Sequence, residues 1–172
     1  MLHRETARDD PKMSKSLKRV QRALEEAGIP ALIQELGEAR TARQAADAAG
    51  CALDQIAKSI IFRGEETGEA ILFLTAGGNR VDAAKASALA GEPLGKADAA
   101  LIRAQTGFAI GGVSPVGHLS PIRAFVDPRL LDFDRIWAAA GTPRHIFALD
   151  AHLLPVMTGA HISDFVEQHP IM

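Results

Sequence analysis

The run Ala57-Lys58-Ser59-Ile60-Ile61-Phe62-Arg63, the polar link from Gly64 to Gly68, and the run Ala70-Ile71-Leu72-Phe73-Leu74-Thr75 decide the fold class. Both runs are short, rich in Ile, Leu and Phe, and bounded by turn residues, which is the signature of a strand. A glycine-bounded polar link between two such runs reads as a hairpin. Side chains alternate along a strand, so Lys58, Ile60 and Phe62 share one face and Ser59, Ile61 and Arg63 the other.

Upstream of the hairpin, Ser14 or Ser16 caps a helix running to about Ala27, with Leu17, Val20, Leu24 and Ala27 on one face. Gly28 and Pro30 end it. Ala31 to Leu36 reads as a short strand. Thr41 and Gln44 have capping-box spacing, and the helix they open closes at Gly50. Downstream, Asp82 to Ala90 and Asp98 to Thr106 read as helices closed by Gly91 and Gly107. A glycine-rich stretch, Gly111-Gly112-Val113-Ser114-Pro115-Val116-Gly117-His118, leads to a strand from Arg123 to Val126. A helix from Asp132 to Ala140, a strand from His145 to Leu149, and short helices after Asp150 and His161 complete the chain. The sum is an α/β (α+β) fold in which hairpins are interspersed with helices rather than arranged as regular βαβ repeats.

Residues 1–12 are polar and aperiodic and Met13 follows, so 1–13 is expected to be a disordered extension and 14–172 a single domain. With 47% hydrophobic and 23% charged residues, the composition is that of an ordinary soluble globular protein. No apolar run approaches the roughly 20 residues of a membrane span, and the start lacks the pattern of a signal peptide. The single cysteine, Cys51, forms no internal disulfide and excludes a four-cysteine zinc site. These features point to the cytoplasm and away from a membrane. The net charge of −2 argues against a general nucleic-acid binder. Its distribution is uneven: residues 1–22 hold seven Lys/Arg against three Asp/Glu. Lys15, Lys18 and Arg22 on the first helix form either a phosphate-binding edge or a solvated face.

Lys58 aligns an ammonium with Ile60 and Phe62. That is costly unless the charge meets a carboxylate, a phosphate or a polar substrate group; the alternative is a strand-end lysine reaching back to water. In the 111–118 stretch, Gly111 and Gly112 allow close backbone approach and Pro115 stiffens the loop. Its amides and the Ser114 hydroxyl are placed to converge on an oxyanion, as acyl transfer requires. Read structurally, the same run is a tight connection between strands. His118 is a candidate substrate contact or base, or a structural hydrogen-bonder. His118, His145, His152 and His161 show no i, i+4 pair and no His-Glu-x-x-His, so no metal site is expected. No Gly-x-Ser-x-Gly elbow is present, Cys51 reads as packing, and Asp150 as a helix cap.

The order AKSIIFR (57–63), ILFLTAGGNRVD (71–82), TGFAIGGVSPVGH (106–118) and FVDPRLL (125–131) resembles the YbaK / prolyl-tRNA editing (aminoacyl-tRNA deacylase) family from about Ser14 to Glu167. The markers are the strand lysine and the Gly-x-x-x-Pro loop, Gly111 to Pro115. The resemblance implies a mixed, barrel-like β-sheet surrounded by helices. It also implies hydrolysis, without metal or cofactor, of an amino acid mis-attached to tRNA, typically the tRNA for proline. Carried over, Lys58 holds the terminal adenosine or the ester, and the Gly111 and Gly112 amides bind the scissile carbonyl. Ser59, Val113, Ser114, Pro115, Gly117 and His118 complete the expected substrate-binding set. The nucleophile is water, or a substrate group such as the ribose 2′-hydroxyl or a cysteine thiol. The chain reads as a free-standing enzyme acting on mischarged tRNA, with prolyl-tRNA synthetase a candidate partner. One methylene is worth only about 1–3 kcal/mol of discrimination, so overlapping activity on Ala, Cys and Ser is expected. The alternatives are a non-catalytic tRNA- or synthetase-binding module of the same fold, and a hydrolase of small-molecule esters.

Overall fold

The hairpin around residues 57–75 forms the middle of the sheet in the computed structural model, which describes residues 14–37 and 39–169. The expected extension over residues 1–13 lies outside the described residues. The hairpin strands are β2 (Ile56–Gly64) and β3 (Ala70–Ala76), antiparallel, with Ser59 opposite Leu74 and Lys58 opposite Thr75. Every residue of β3 is buried. Leu72 and Leu74 face one core and Ile71 and Phe73 another, which is why the segment reads as a continuous apolar run rather than an alternating one.

Around this hairpin lie β1 (Ile33–Glu35), β4 (Leu94–Lys96), β5 (Arg123–Val126), β6 (Arg135–Ala139), β7 (His145–Asp150) and β8 (His161–Ile162). The sheet order is β1-β7-β6-β2-β3-β5-β8, with β4 attached to β2 beside that path. Pairs β2–β6, β3–β5 and β5–β8 are parallel and the others antiparallel. This is the mixed sheet expected, but "barrel-like" describes it only loosely. Among the described residues β1 and β8 are unjoined ends, so the sheet stays open.

The helices are α1 (Lys15–Glu26), α2 (Ala42–Ala49), α3 (Ala83–Ala90), α4 (Ala99–Thr106) and α5 (Leu153–Thr158). The Ser14 hydroxyl caps α1 by accepting from the Leu17 amide at 3.0 Å, and Leu17, Val20 and Leu24 are buried. Thr41 caps α2 through the Gln44 amide, while the Gln44 side chain accepts from the Arg40 amide at 2.7 Å. Each such cap is worth about 1 kcal/mol. The larger core joins α1 to Leu72, Leu74, Phe108, Ile136 and Phe147. In the smaller, Phe73 stacks on Phe125 with centroids 5.2 Å apart and meets Phe165 edge-on at 5.0 Å; α3 covers it with Ala86 and Ala90.

Two elements differ from the sequence reading. The helix expected over Asp132 to Ala140 is a 3₁₀ turn (Pro128–Asp132) followed by β6. Trp137-Ala138-Ala139-Ala140 has the propensity of a helix, but Ile136 and Ala138 are buried with period two and pair with β7 and β2; tertiary pairing outweighs propensity here. The short helix expected after His161 is β8, added in parallel to β5.

Candidate functional site

On its side away from β3, β2 has two partners. β6 pairs with Ile56 and Ala57, and β4 with Phe62, Arg63 and Gly64. The gap between β6 and β4 opens into a cavity of about 480 Å³, walled by Lys58 to Ile61 of β2, Lys96, Gly111, Val113, residues 137–139, Thr142, Pro143, His145 and residues of α2. Among the described residues its charged lining is Arg40, Lys58 and Lys96.

Lys58 is half-buried, and its Nζ donates to the Asn79 carbonyl at 2.5 Å. Asn79 is fixed in turn: its side-chain Nδ2 donates to Asp127 Oδ2 at 2.8 Å, and its Oδ1 lies 2.6 Å from His169 Nε2. Buried Asp127 also accepts from the Ala76 and Arg129 amides. Burial, with Arg80 adding to it, pushes the Lys58 amine below the usual lysine range; Asp127 and Asp54 act in the opposite sense. An ammonium has three donors, so the carbonyl contact leaves two.

The glycine loop divides between two places. Gly111, with φ of 88°, and Val113 line the cavity that Lys58 lines. Gly112 lies behind it: its amide donates to the Ala109 carbonyl at 3.0 Å, and a Cβ there would stand 2.7 Å from Thr142 Cα. The glycine is thus required by the β6–β7 turn packed against it. The Gly111 and Val113 amides have no acceptor among the described residues. Ser114 is fully buried and holds the loop, its hydroxyl accepting from the Val116 amide and its carbonyl receiving His118 Nε2 at 2.6 Å. That bond puts a proton on His118 Nε2. Burial pushes the His118 imidazole below its usual value, and Arg19 adds to the shift against the Ser114 bond. Pro115, Gly117 and His118 face a separate cavity of about 710 Å³, bounded by the end of α1 and by α5.

Ser59 is on the cavity wall, with its hydroxyl buried and without a hydrogen-bond partner among the described residues. Lys15, Lys18 and Arg22 lie along α1, and none of them lines either cavity. The structure therefore brings Lys58, Ser59, Gly111 and Val113 together and sets Ser114, Pro115, Gly117 and His118 apart. Sequence reading passed over His145, whose Nδ1 is 2.6 Å from Thr142 Oγ1 on the same wall. It also passed over Asn79 and Asp127, because a carbonyl anchor and its support leave no motif in the chain.

The profile of the aminoacyl-tRNA editing domain family matches residues 37–154, which include the hairpin, the glycine loop and the β6–β7 turn. This chain belongs to that family. Among solved structures, a candidate trans-editing enzyme for prolyl-tRNA synthetase is 46% identical to this editing domain, with a TM-score of 0.84 over 91% of this chain and 100% of that one. A protein from computational grafting of epitopes onto scaffolds is 44% identical, with the same TM-score of 0.84 and the same coverage, 91% and 100%. The uncharacterized protein YwhH of Bacillus subtilis (strain 168) is 34% identical over 102 residues, 59% of this chain and 64% of YwhH. The match thus spans less than two thirds of that relative. No helix among the described residues of the editing domain is long and apolar enough to cross a membrane.

Proposed function

We propose that this editing domain hydrolyses the ester of tRNA for proline that carries a small non-cognate amino acid such as Ala, Cys or Ser. The observation that carries the reading is one cavity walled by both Lys58 and the amide-rich turn at Gly111 and Val113. Its size, about 480 Å³, suits an aminoacyl ester with its ribose. The family, and the resemblance to a candidate trans-editing enzyme for prolyl-tRNA synthetase, support the same substrate class.

In this reading the 3′ end of the tRNA enters a cavity whose described lining carries Arg40, Lys58 and Lys96, cations suited to a polyanion. Lys58, held by Asn79, donates to the ester or to the terminal adenosine. The Gly111 and Val113 amides are fixed before the substrate arrives and receive the carbonyl oxygen as it gains charge. Water, oriented by the ribose 2′-hydroxyl, attacks the carbonyl carbon; the bond from that carbon to the ribose ester oxygen breaks, the water's proton passes to the ribose oxygen, and the free amino acid leaves. Aminoacyl esters are labile enough that orientation and oxyanion stabilisation suffice.

The test is a deacylation panel on tRNA for proline charged with Ala, Cys, Ser or Pro. Release above buffer is expected for at least one of the first three and not for Pro. A protein inert toward all three small amino acids contradicts the reading. Retention of charged tRNA without release marks a binding module, and cleavage of model esters regardless of tRNA marks a small-molecule hydrolase.

A further inference from the structure

The stretch of β2 between its two outer partners leaves a strand edge inside the cavity. The β6 ladder ends at Ala57 and the β4 ladder begins at Phe62, and Lys58, Ser59, Ile60 and Ile61 all line the cavity. Neighbouring bonds fix which way the main chain faces. The Gly64 amide, even-numbered, donates to Glu69 on the β3 side, whereas the Glu65 amide donates to Pro93 on the β4 side. The Leu74 carbonyl receives the Asp127 amide from beyond β3, so Leu74 points away from β2. Leu74 is the register partner of Ser59, and in an antiparallel ladder the two members of such a pair both direct their N–H and C=O outward. Ser59 therefore turns its main-chain N–H and C=O into the gap, where no strand among the described residues meets them. An open edge of this kind is a template for an extended backbone.

An aminoacyl ester carries an α-nitrogen with hydrogens and, one carbon away, a carbonyl. That is the donor and acceptor set of a single strand residue. Building on the editing function proposed above, we infer that the amino acid of the substrate docks as a one-residue β-strand on Ser59. Its α-ammonium donates to the Ser59 carbonyl and its ester carbonyl accepts from the Ser59 amide. A cation drawn out of water needs acceptors, and among the described residues the cavity lining supplies no carboxylate. The ester carbonyl has a second lone pair, which stays available to the Gly111 or Val113 amide. Directly paired residues present their side chains on one face, so an L-amino acid lays its side chain beside Ser59, away from the face of Lys58. The unpartnered Ser59 hydroxyl lies on that side, covered by its own surroundings. A prolyl group carries a ring carbon on its nitrogen, against the edge, and fits worst.

The experiment compares alanyl- with propionyl-tRNA for proline, the latter lacking only the α-nitrogen. Each kcat/KM with the wild-type protein is divided by the spontaneous hydrolysis rate of the same ester. Propionyl-tRNA is expected to be at least about tenfold the poorer substrate, the size of one charge-assisted hydrogen bond. Equal values overturn the docking mode and leave the editing function standing; no release of Ala, Cys or Ser at all removes both. In a second arm, Ser59→Pro deletes an N–H that the β2–β3 ladder does not use, a change an unpaired edge tolerates. A loss of at least about tenfold in kcat/KM on alanyl-tRNA, with an unchanged circular dichroism spectrum, is expected. Wild-type kcat/KM in the folded variant overturns the inference, and where the variant fails to fold the propionyl comparison alone decides.

Discussion

In the proposed reaction, Lys58 is the side chain on which most of the chemistry depends. Its amine is half-buried, held by a carbonyl rather than a carboxylate, and faces Asp127 and Asp54 only at a distance. Such a charge does not hold the fold together, because burial and Arg80 outweigh what the distant carboxylates return. Lys58→Ala is therefore expected to reduce deacylation at least about 100-fold, the loss of a transition-state donor, while the circular dichroism spectrum and melting temperature stay near wild type. Normal turnover in that variant would remove Lys58 from the mechanism. The same amine sets a pH dependence. Its folded pKa is depressed, so the charged form is lost as pH rises, earlier than the ordinary value of about 10.4. Activity corrected for spontaneous hydrolysis is expected to fall along a limb below that value. The stability linkage has the opposite sense: the unfolded chain holds this proton longer, so stability contributed by Lys58 rises with pH between the folded and unfolded pKa values. A pH profile flat to the ordinary lysine range contradicts the assignment.

At the scale of elements, the glycine loop is held by its neighbours more than by its own sequence. Gly112 packs on the main chain of Thr142 and Pro143, and Arg19 reaches from α1 to the Gly117 carbonyl at 3.1 Å while its guanidinium lies 4.6 Å from the Phe108 ring centroid. Gly112→Ala is expected to cost about 1–3 kcal/mol through overpacking, read as a fall in melting temperature, and to lower activity by displacing the Gly111 and Val113 amides. An unchanged melting temperature and rate would separate the loop from the β6–β7 turn. The β2–β3 hairpin was legible because both its strands and its link are local signals, and so were the caps at Ser14 and Thr41. β6 was not, since its alanines favour a helix and only pairing with β2 and β7 makes them a strand. Lys58 and Gly111 could be singled out from strand alternation and loop composition, whereas Ser59 and Val113 came only with the family resemblance. The separation of Gly111 and Val113 from Pro115, Gly117 and His118 could not, because it depends on which side of the loop α1 and the β6–β7 turn approach.

For the molecule as a whole, the uneven charge is the feature that bears on tRNA. The seven basic residues in positions 1–22 stand against an acidic remainder, while the cavity carries its own cations at Arg40, Lys58 and Lys96. Lys15, Lys18 and Arg22 are outside both cavities, so under the proposed function they would meet the tRNA body rather than its 3′ end. Reversing these three charges is expected to raise KM severalfold and to flatten its dependence on salt, with kcat unchanged. An indifferent KM would return that helix face to solvent. The most direct measurement is single-turnover release of alanine, cysteine and serine from tRNA for proline by the wild-type domain. Release of at least one, faster than in buffer and abolished in Lys58→Ala, is the expected result; rates indistinguishable from buffer for all three would contradict the account.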